Sequence, residues 1–141
     1  MQKERTFETN EVVYVVDHWG TDIGQMAFSA RAEIIRVDES KKIFLAVLYG
    51  DTYEEYSFKD YGRLIFDTKD EADEAANKFP SPHSIIYQKD GKNVSKKTVV
   101  GIIGHSFNGI TDLFIEFDDE TEVSSKELGV SIFTKESDVR Q

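Results

Sequence analysis

The side chains of this chain that can do chemistry are mostly carboxylates. It has 27 Asp and Glu against 17 Lys and Arg, with three His and no Cys. The histidines, His18, His83 and His105, lie in distant segments, and none has a second ligand at metal-binding spacing. No nucleophile motif, phosphate loop or dinucleotide-binding glycine pattern occurs. The sequence therefore predicts a protein that is not an enzyme and needs no cofactor or metal. Its carboxylates are expected to act through their charge.

The acidic residues are concentrated in two stretches. Residues 51–74 and residues 112–127 each have a net charge of −6, which leaves +2 for the rest of the chain. Such surfaces repel phosphate, so direct binding to nucleic acid or to an anionic membrane is disfavoured. A basic protein surface is the expected partner. The carboxylates selected as partner-binding candidates are Asp51, Glu54, Glu55, Glu116, Asp118, Asp119, Glu120 and Glu122.

Their spacing suggests one specific form of binding. Alternate residues of a strand lie about 6.6 Å apart, and DNA has one phosphate per about 3.4 Å of each strand. A strand face with Glu116, Asp118 and Glu120, or a turn with Asp51, Glu54 and Glu55, would therefore imitate alternate phosphates. A protein built in this way would block the basic channel of a nucleic-acid-binding enzyme. The competing interpretation is a solvated turn, because runs of charge usually mark wet surfaces.

A second group of candidates is apolar. Residues 17–31 are expected to form an enlarged loop with the single Trp, and large apolar side chains in a loop need a packing partner or a binding partner. Trp19, Met26 and Phe28 are therefore predicted either to contact a partner or to pack on the fold. Residues 87–97 form a lysine-rich hairpin with D-G at its tip, which is expected to solubilise the chain or to pair with the acidic surfaces.

The elements that must position these residues occur twice. K-D-Y-G-R-L-I-F at 59–66 matches K-E-L-G-V-S-I-F at 126–133, which is 67 residues later. I-F-L-A-V-L-Y-G-D at 43–51 matches T-D-L-F-I-E-F-D-D at 111–119 with an offset of 68. Both copies consist of short runs rich in Val, Ile, Phe and Tyr between polar or Gly-containing links, which indicates strands. The sequence predicts an internal duplication.

Alternation within the matched strands predicts which side chains are buried. In the second copy, Leu113, Ile115 and Phe117 point to one face, while Asp112 and Glu116 point to the wet face. The matched residues of the first copy are Leu45, Val47 and Tyr49.

A helix is predicted over residues 68–79. Thr68 and Glu71 have the spacing of a capping box, and Pro80 ends the helix. The second copy is expected to have one helical turn or none. The apolar helix face consists of Ala72, Ala75, Ala76 and Phe79. The strand residues that this helix is expected to cover are Phe44, Ala46 and Leu48.

The order of a strand, a long loop, A-E-I-I-R-V, a turn, I-F-L-A-V-L-Y-G-D-T-Y-E-E-Y and a closing strand resembles the SH3-like barrel. The phrases Y-G-D and F-D-D are similar to Tudor-type versions. Together with the duplication, this implies a mainly β fold with a minor helix, built from two tandem, partly open SH3-like barrels over residues 1–80 and 81–141. The resemblance also implies an aromatic cage for methylated Lys or Arg. The cage candidates are Tyr14, Tyr49, Tyr53 and Tyr56.

Three functions follow as hypotheses. The first is a non-enzymatic acidic protein that binds a basic protein surface, in its sharpest form a nucleic-acid-mimicking inhibitor of the type carried by phages and mobile elements, such as an anti-restriction or anti-CRISPR protein. The second is a Tudor-like reader of methylated peptides, and the third is a self-associating assembly protein. Monomer and homodimer both remain open. The longest apolar runs are far below the roughly 18 residues of a membrane span, and the lack of Cys fits a reducing compartment, so the cytoplasm is expected.

Overall fold

The computed structural model describes residues 5–139, so the outer ends of the predicted domains 1–80 and 81–141 lie outside the described residues. The fold is mainly β, with 56% strand, 14% helix and an open, unclosed sheet. Its single α-helix within the described residues is α1 (Lys69–Asn77). The strands are β1 (Val12–Thr21), β2 (Gly24–Asp38), β3 (Ile43–Leu48), β4 (Thr52–Ser57), β5 (Ile65–Phe66), β6 (Ile85–Asp90), β7 (Asn93–Phe107), β8 (Ile110–Phe117), β9 (Glu122–Ser124) and β10 (Ile132–Phe133). The 3-10 turns are Phe58–Asp60, Ser125–Glu127 and Glu136–Val139.

The same order of elements occurs twice along the chain: four strands, a 3-10 turn, a two-residue strand and a helical segment. In each copy a serine before the 3-10 turn, Ser57 or Ser124, accepts a hydrogen bond at 3.2 Å from the backbone N–H two residues later. A glycine with positive φ follows, Gly62 or Gly129, and its N–H donates at 2.8 Å to the carbonyl three residues on. The two sets of positions are 67 residues apart. The offset found in the sequence thus corresponds to a repeated backbone conformation in this region.

The segments that precede β1 and β6 also match, with an offset of 73. Asn10 and His83 both have a left-handed backbone, with φ of 73° and 72°. Their N–H groups donate at 2.7 Å to Ile34 of β2 and Val99 of β7, which are only 65 residues apart. The offset falls by eight across the first hairpin, so on each side of its turn the β1–β2 hairpin has about four more residues between the turn and this hydrogen bond than the β6–β7 hairpin has.

This length difference corrects the prediction of an enlarged loop over residues 17–31. These residues lie almost entirely in β1 and β2, which are joined by a two-residue turn. The Thr21 hydroxyl donates to the carbonyl of Gly24 at 2.7 Å across that turn. The glycines suggested a loop, but the residues around them include Trp, Thr, Ile and Phe, which favour extended strands. Trp19, Met26 and Phe28 are therefore strand residues.

The chain forms two compact units. Unit 1 contains the described residues up to Asp17, together with Phe28–Ala76 and His105–Asp112. Its strand order is β5-β1-β2-β3-β4, and Ile110 of β8 pairs in parallel with Glu55 of β4.

The core of unit 1 is built around aromatic rings. The Phe44 ring lies 4.9 Å from the Phe7 ring and 5.7 Å from the Tyr56 ring, measured between centroids. Phe58 lies 5.0 Å from Phe7. These rings supply the apolar cover for Phe44 that the sequence assigned to the helix.

Unit 2 contains His18–Ala27, Asn77–Gly104 and the described residues from Leu113 onward. Its strand order is β10-β6-β7-β8, with β9 paired to β8. The 18–27 hairpin tip lies against β7 because Gly101 has no side chain: a Cβ there would lie 3.2 Å from the backbone oxygen of Gln25. The most deeply buried side chains of unit 2 include Ile86, Ile102, Leu113, Ile115 and Phe117.

The match of Tyr49 to Phe117 at an offset of 68 was wrong by one residue, whereas the expectation that Phe44, Ala46 and Leu48 are covered is confirmed by their burial. Phe44, Ala46 and Leu48 are 1%, 0% and 0% exposed, whereas Tyr49 is 51% exposed. A shift of one residue moves every side chain of a strand to the opposite face. The three apolar residues predicted to be buried in β8 are buried. Asp112 was assigned to the wet face of that strand, but it is only 8% exposed.

Helix α1 begins where the capping box predicts. The N–H of Glu71 donates to the Thr68 hydroxyl oxygen at 3.2 Å, and that hydroxyl donates to the Glu71 carboxylate at 2.9 Å. Ala72 and Ala76 are buried, but the helix ends two residues before the predicted position 79. The second copy has only the 3-10 turn Glu136–Val139 at this point, as expected for one turn or none.

Candidate functional site

The first acidic turn, defined as residues 49–55, joins β3 to β4. Tyr49 and Gly50 have positive φ, 58° and 80°, and the Asp51 N–H closes the turn by donating to Leu48 at 3.2 Å. Asp51 is exposed, while Glu54 and Glu55 are half-buried. The connection after β3 and the first four residues of β4 therefore present three carboxylates from seven residues of one unit.

The carboxylates of the first acidic turn are held by neutral neighbours. Glu54 accepts a hydrogen bond from the Thr111 hydroxyl at 2.5 Å. The carboxylate of Glu55 lies about 3.6 Å from the position that a Cβ on Gly109 would occupy. Within residues 5–139, neither these two residues nor Asp51 makes an ion pair. Their negative charge is therefore not compensated locally.

Two exposed tyrosines flank these acids. Tyr49 and Tyr53 are 51% and 61% exposed. The Tyr49 hydroxyl donates to Asp17 at 3.0 Å, and partial burial together with that carboxylate holds the pKa of the hydroxyl above its usual range. The other two proposed cage residues do not match this exposure. Tyr14 is half-buried and lies opposite Phe66 in the sheet.

Tyr56 is 1% exposed and belongs to the aromatic core, so its assignment to a cage is wrong. Burial raises the pKa of its hydroxyl well above the ordinary value. Period-two alternation in T-Y-E-E-Y-S could have shown this, because Tyr53 and Tyr56 are three positions apart and must point to opposite faces.

A buried ion network lies in the same unit. Arg63 Nη2 donates to Asp60 at 2.8 Å and to Asp112 at 2.9 Å. The two aspartates are 7% and 8% exposed. One guanidinium thus compensates two desolvated carboxylates and ties the 105–112 segment to the 3-10 turn of the first copy. Sequence reasoning counted Asp60 and Asp112 among the surface acids, because the i,i+3 spacing from Asp60 to Arg63 was not recognised as a pairing signal.

The second acidic turn, defined as residues 116–122, has a different geometry. β8 ends at Phe117, so Asp118 and Glu120 lie in the turn and not on a strand face. Glu120 has a positive φ of 70°. The predicted row of Glu116, Asp118 and Glu120 at alternate strand positions is therefore wrong. Only Glu116 lies on a strand, because the other two residues come after the end of β8.

Asp119 organises this second turn. Its carboxylate accepts hydrogen bonds from the hydroxyl and the backbone N–H of Thr121. Lys97 Nζ lies 3.2 Å from the same carboxylate and 5.1 Å from the centroid of the Phe117 ring. The Thr121 hydroxyl, the Thr121 N–H and then Lys97 lower the pKa of Asp119 to about 2. One lysine of the basic hairpin thus compensates an acid of the second turn, as one of the two interpretations of residues 87–97 predicted.

Two further acids of the second acidic turn face each other across the sheet. Glu116 and Glu122 are directly opposite each other on β8 and β9. Like charges at such a pair destabilise a sheet. Glu122 is exposed and Glu116 is half-buried.

The apolar candidates lie along the β1–β2 hairpin. Trp19 is 55% exposed, Phe28 is 41% exposed and Met26 is half-buried. Trp19 and Met26 belong to unit 2, whereas Phe28 belongs to unit 1. The structure therefore does not unite the three in one unit.

The described part of the chain contains neither a metal cluster nor a membrane-spanning helix. No group of three or more His, Asp and Glu side chains there could hold a metal ion. No helix among residues 5–139 has the length and apolar character required to cross a membrane.

Comparison with known proteins yields no match: no family model, no curated protein and no solved structure corresponds to this chain.

Proposed function

We propose that this chain is a non-enzymatic interaction protein whose first acidic turn binds a basic surface of another protein. The observation that carries the proposal is that Asp51, Glu54 and Glu55, which make no ion pair within residues 5–139, lie in one short segment with the exposed rings of Tyr49 and Tyr53. A carboxylate without an internal cation keeps its charge for a partner, and it loses less on binding than one that must first break a salt bridge.

The distribution of charge supports the same surface. Among the described residues, unit 1 has 8 Lys and Arg against 16 Asp and Glu, a net charge of −8, while unit 2 has 7 against 10, a net charge of −3. Such a field attracts basic partners over about one Debye length and is screened by salt. Exposed Tyr49 and Tyr53 add rings on which Lys or Arg side chains of the partner can stack.

We infer that the two series of elements are tandem SH3-like units that arose by duplication. The support is the order β5-β1-β2-β3-β4, in which the fifth strand returns to the first after a 3-10 turn, together with the matching turn in the second copy. The nucleic-acid mimic is the narrowest version of the function. It depends on total charge, because the predicted row of carboxylates on a strand is not formed.

The test is capture of partners from cells of the source organism by the tagged full chain at low and at moderate salt. Two variants with the same change in charge are compared: Asp51→Lys with Glu55→Lys, and Asp118→Lys with Glu120→Lys. The proposal expects one or more basic proteins that salt releases, and their loss in the first variant but not in the second. Circular dichroism of both variants shows whether they remain folded.

Three other results of the capture experiment would change the proposal. Competition by added DNA or RNA for the captured protein would establish the mimic version. Equal loss of binding in both variants would contradict the choice of the first acidic turn. Retention of only the chain itself, with a mass that rises with concentration, would replace the proposal with self-association.

A further inference from the structure

In unit 1, an aromatic ring fills the position that follows the 3-10 turn Phe58–Asp60. The guanidinium of Arg5 lies 5.4 Å from the centroid of the Tyr61 ring and 4.3 Å from that of Phe7. The same guanidinium contacts Asp67 at 3.0 Å, and the two rings are 6.1 Å apart. In unit 1 the rings of Tyr61 and Phe7 and the guanidinium of Arg5 thus pack together after the 3-10 turn.

The corresponding position of unit 2 has smaller side chains. Tyr61 and Leu128 occupy equivalent places, because each forms the same isolated parallel bridge, to Ile65 and to Ile132. By the offset of 67, Thr134 replaces Asp67. By the offset of 73 found before β1 and β6, Lys78 replaces Arg5, and Pro80 replaces Phe7. Unit 2 therefore lacks both rings and the Asp67 carboxylate, which together with Glu11 bind the cation in unit 1.

A groove lies at this point of unit 2. Its volume is about 240 Å³, and Ile132 and Phe133, which are 0% and 9% exposed, form its apolar wall. Pockets for small molecules usually measure about 300–1,000 Å³, so the groove is small for a cofactor and suits one large side chain. The remaining residues that line it are Lys78, Leu128, Gly129, Thr134 and Asp138.

We infer that this groove receives an aromatic side chain of a partner polypeptide. The occupant is indicated by the molecule itself, because the equivalent place in unit 1 is filled by the ring of Tyr61. Lys78 and Asp138, which are both exposed, line the groove with opposite charges, so these two residues together give it no net charge. Aromatic anchors in small, desolvated pockets are the contacts that usually dominate binding between proteins. This site is distinct from the first acidic turn, and it stands or falls independently of the proposed function.

The test uses the full chain labelled with ¹⁵N and the probe N-acetyl-phenylalanine amide, with N-acetyl-glycine amide as the matched probe without a ring. The expected result is a set of saturable NMR shifts at Gly129, Ile132, Phe133 and Thr134 with the first probe only. Leu128→Tyr should fill the groove with the side chain that unit 1 already accommodates. This variant is therefore expected to fold and to bind the probe at least about tenfold more weakly, a loss of roughly 1.4 kcal/mol in binding free energy.

The reverse variant, Tyr61→Leu, is expected to create a second site, seen as new shifts at Gly62 and Ile65. Absence of shifts around Gly129 up to the solubility of the probe would overturn the inference, and so would equal binding by wild type and Leu128→Tyr. Shifts at the same residues that depend on protein concentration without probe would show that a second copy of this chain fills the groove. A failure here leaves the salt-dependent capture by the first acidic turn unaffected.

Discussion

The two acidic turns follow β3 and β8, which are the third strands of their copies, yet their charges are treated differently. In the first, Asp51 and Glu55 have no ion pair within residues 5–139, and Glu54 is held by the hydroxyl of Thr111. In the second, Asp119 is bound by Thr121 and Lys97. Equivalent positions in a repeat therefore do not imply equivalent functions. The neighbours of each turn decide which of its carboxylates are used inside the fold: Asp119 is used, whereas Asp118 and Glu120, like Asp51 and Glu55, make no ion pair within residues 5–139.

The largest expected effect tests where the first acidic turn begins. Leu48→Ala removes a fully buried side chain and should lower the free energy of unfolding by about 3 kcal/mol. Tyr49→Ala should lower it by less than about 1 kcal/mol, because that ring is 51% exposed. Urea unfolding followed by circular dichroism measures both. A larger loss for Tyr49→Ala would restore the match of Tyr49 to Phe117 at an offset of 68. It would also mean that the Tyr49 side chain belongs to the core.

This one-residue difference shows how far the sequence alone can reach. Motif matching found the repeat and the strands, but the offset changes from 73 to 65, 69 and 67 along the chain as hairpins of unequal length intervene. The value of 69 separates the paired residues Leu45 and Glu55 of β3 and β4 from the paired residues Phe114 and Ser124 of β8 and β9. A match at 68 therefore aligned Tyr49 with Phe117, whereas Leu48 is the buried residue at that place. Both faces of I-F-L-A-V-L-Y are apolar, so the pattern itself could not choose between the two registers.

The second expected effect tests what supports the first acidic turn. Arg63→Leu leaves Asp60 and Asp112 without their shared cation, although both are nearly buried. The expected cost is about 2 kcal/mol, lower than for a fully buried pair because Arg63 is itself 26% exposed. Val130→Ala at the equivalent position of the second copy is the control, and its 67% exposure predicts a change below about 0.5 kcal/mol. Equal changes in the two variants would show that the ion network does not stabilise unit 1.

The third expected effect tests the comparison between the turns directly. Lys97→Met removes the cation beside Asp119 while keeping an apolar stem near the Phe117 ring. The second acidic turn then resembles the first, so affinity for a captured basic partner should rise by a few fold at low salt, in line with the small free energies of exposed ion pairs. Surface plasmon resonance at two salt concentrations measures the change. Lower affinity would mean that Lys97 itself contacts the partner.

The ion pair between Lys97 and Asp119 could be predicted from the sequence only in part. Four lysines in residues 87–97 suggested contact with an acidic surface, but nothing in the sequence selects Lys97. It is selected by the fold, because the Asp118 N–H donates to the carbonyl of Thr98 at 3.0 Å and brings the second turn beside β7. Long-range contacts of this kind depend on hairpin lengths, which local patterns do not encode.

The smallest expected effect concerns the pKa of Asp119, which is about 2 in the folded chain. The hydroxyl of Thr121 is the largest cause of that low pKa and Lys97 a lesser one, so Thr121→Val should raise the pKa more than Lys97→Met does. Because the folded-state pKa lies below the unfolded value of about 4, the stabilisation is complete above about pH 4 and is lost as the pH falls towards 2. Carboxyl ¹³C NMR titration of Asp119 measures the shift in each variant. A larger shift with Lys97→Met would show that charge, and not the hydrogen bonds of the turn, fixes this carboxylate, and it would make the contrast between the two acidic turns purely electrostatic.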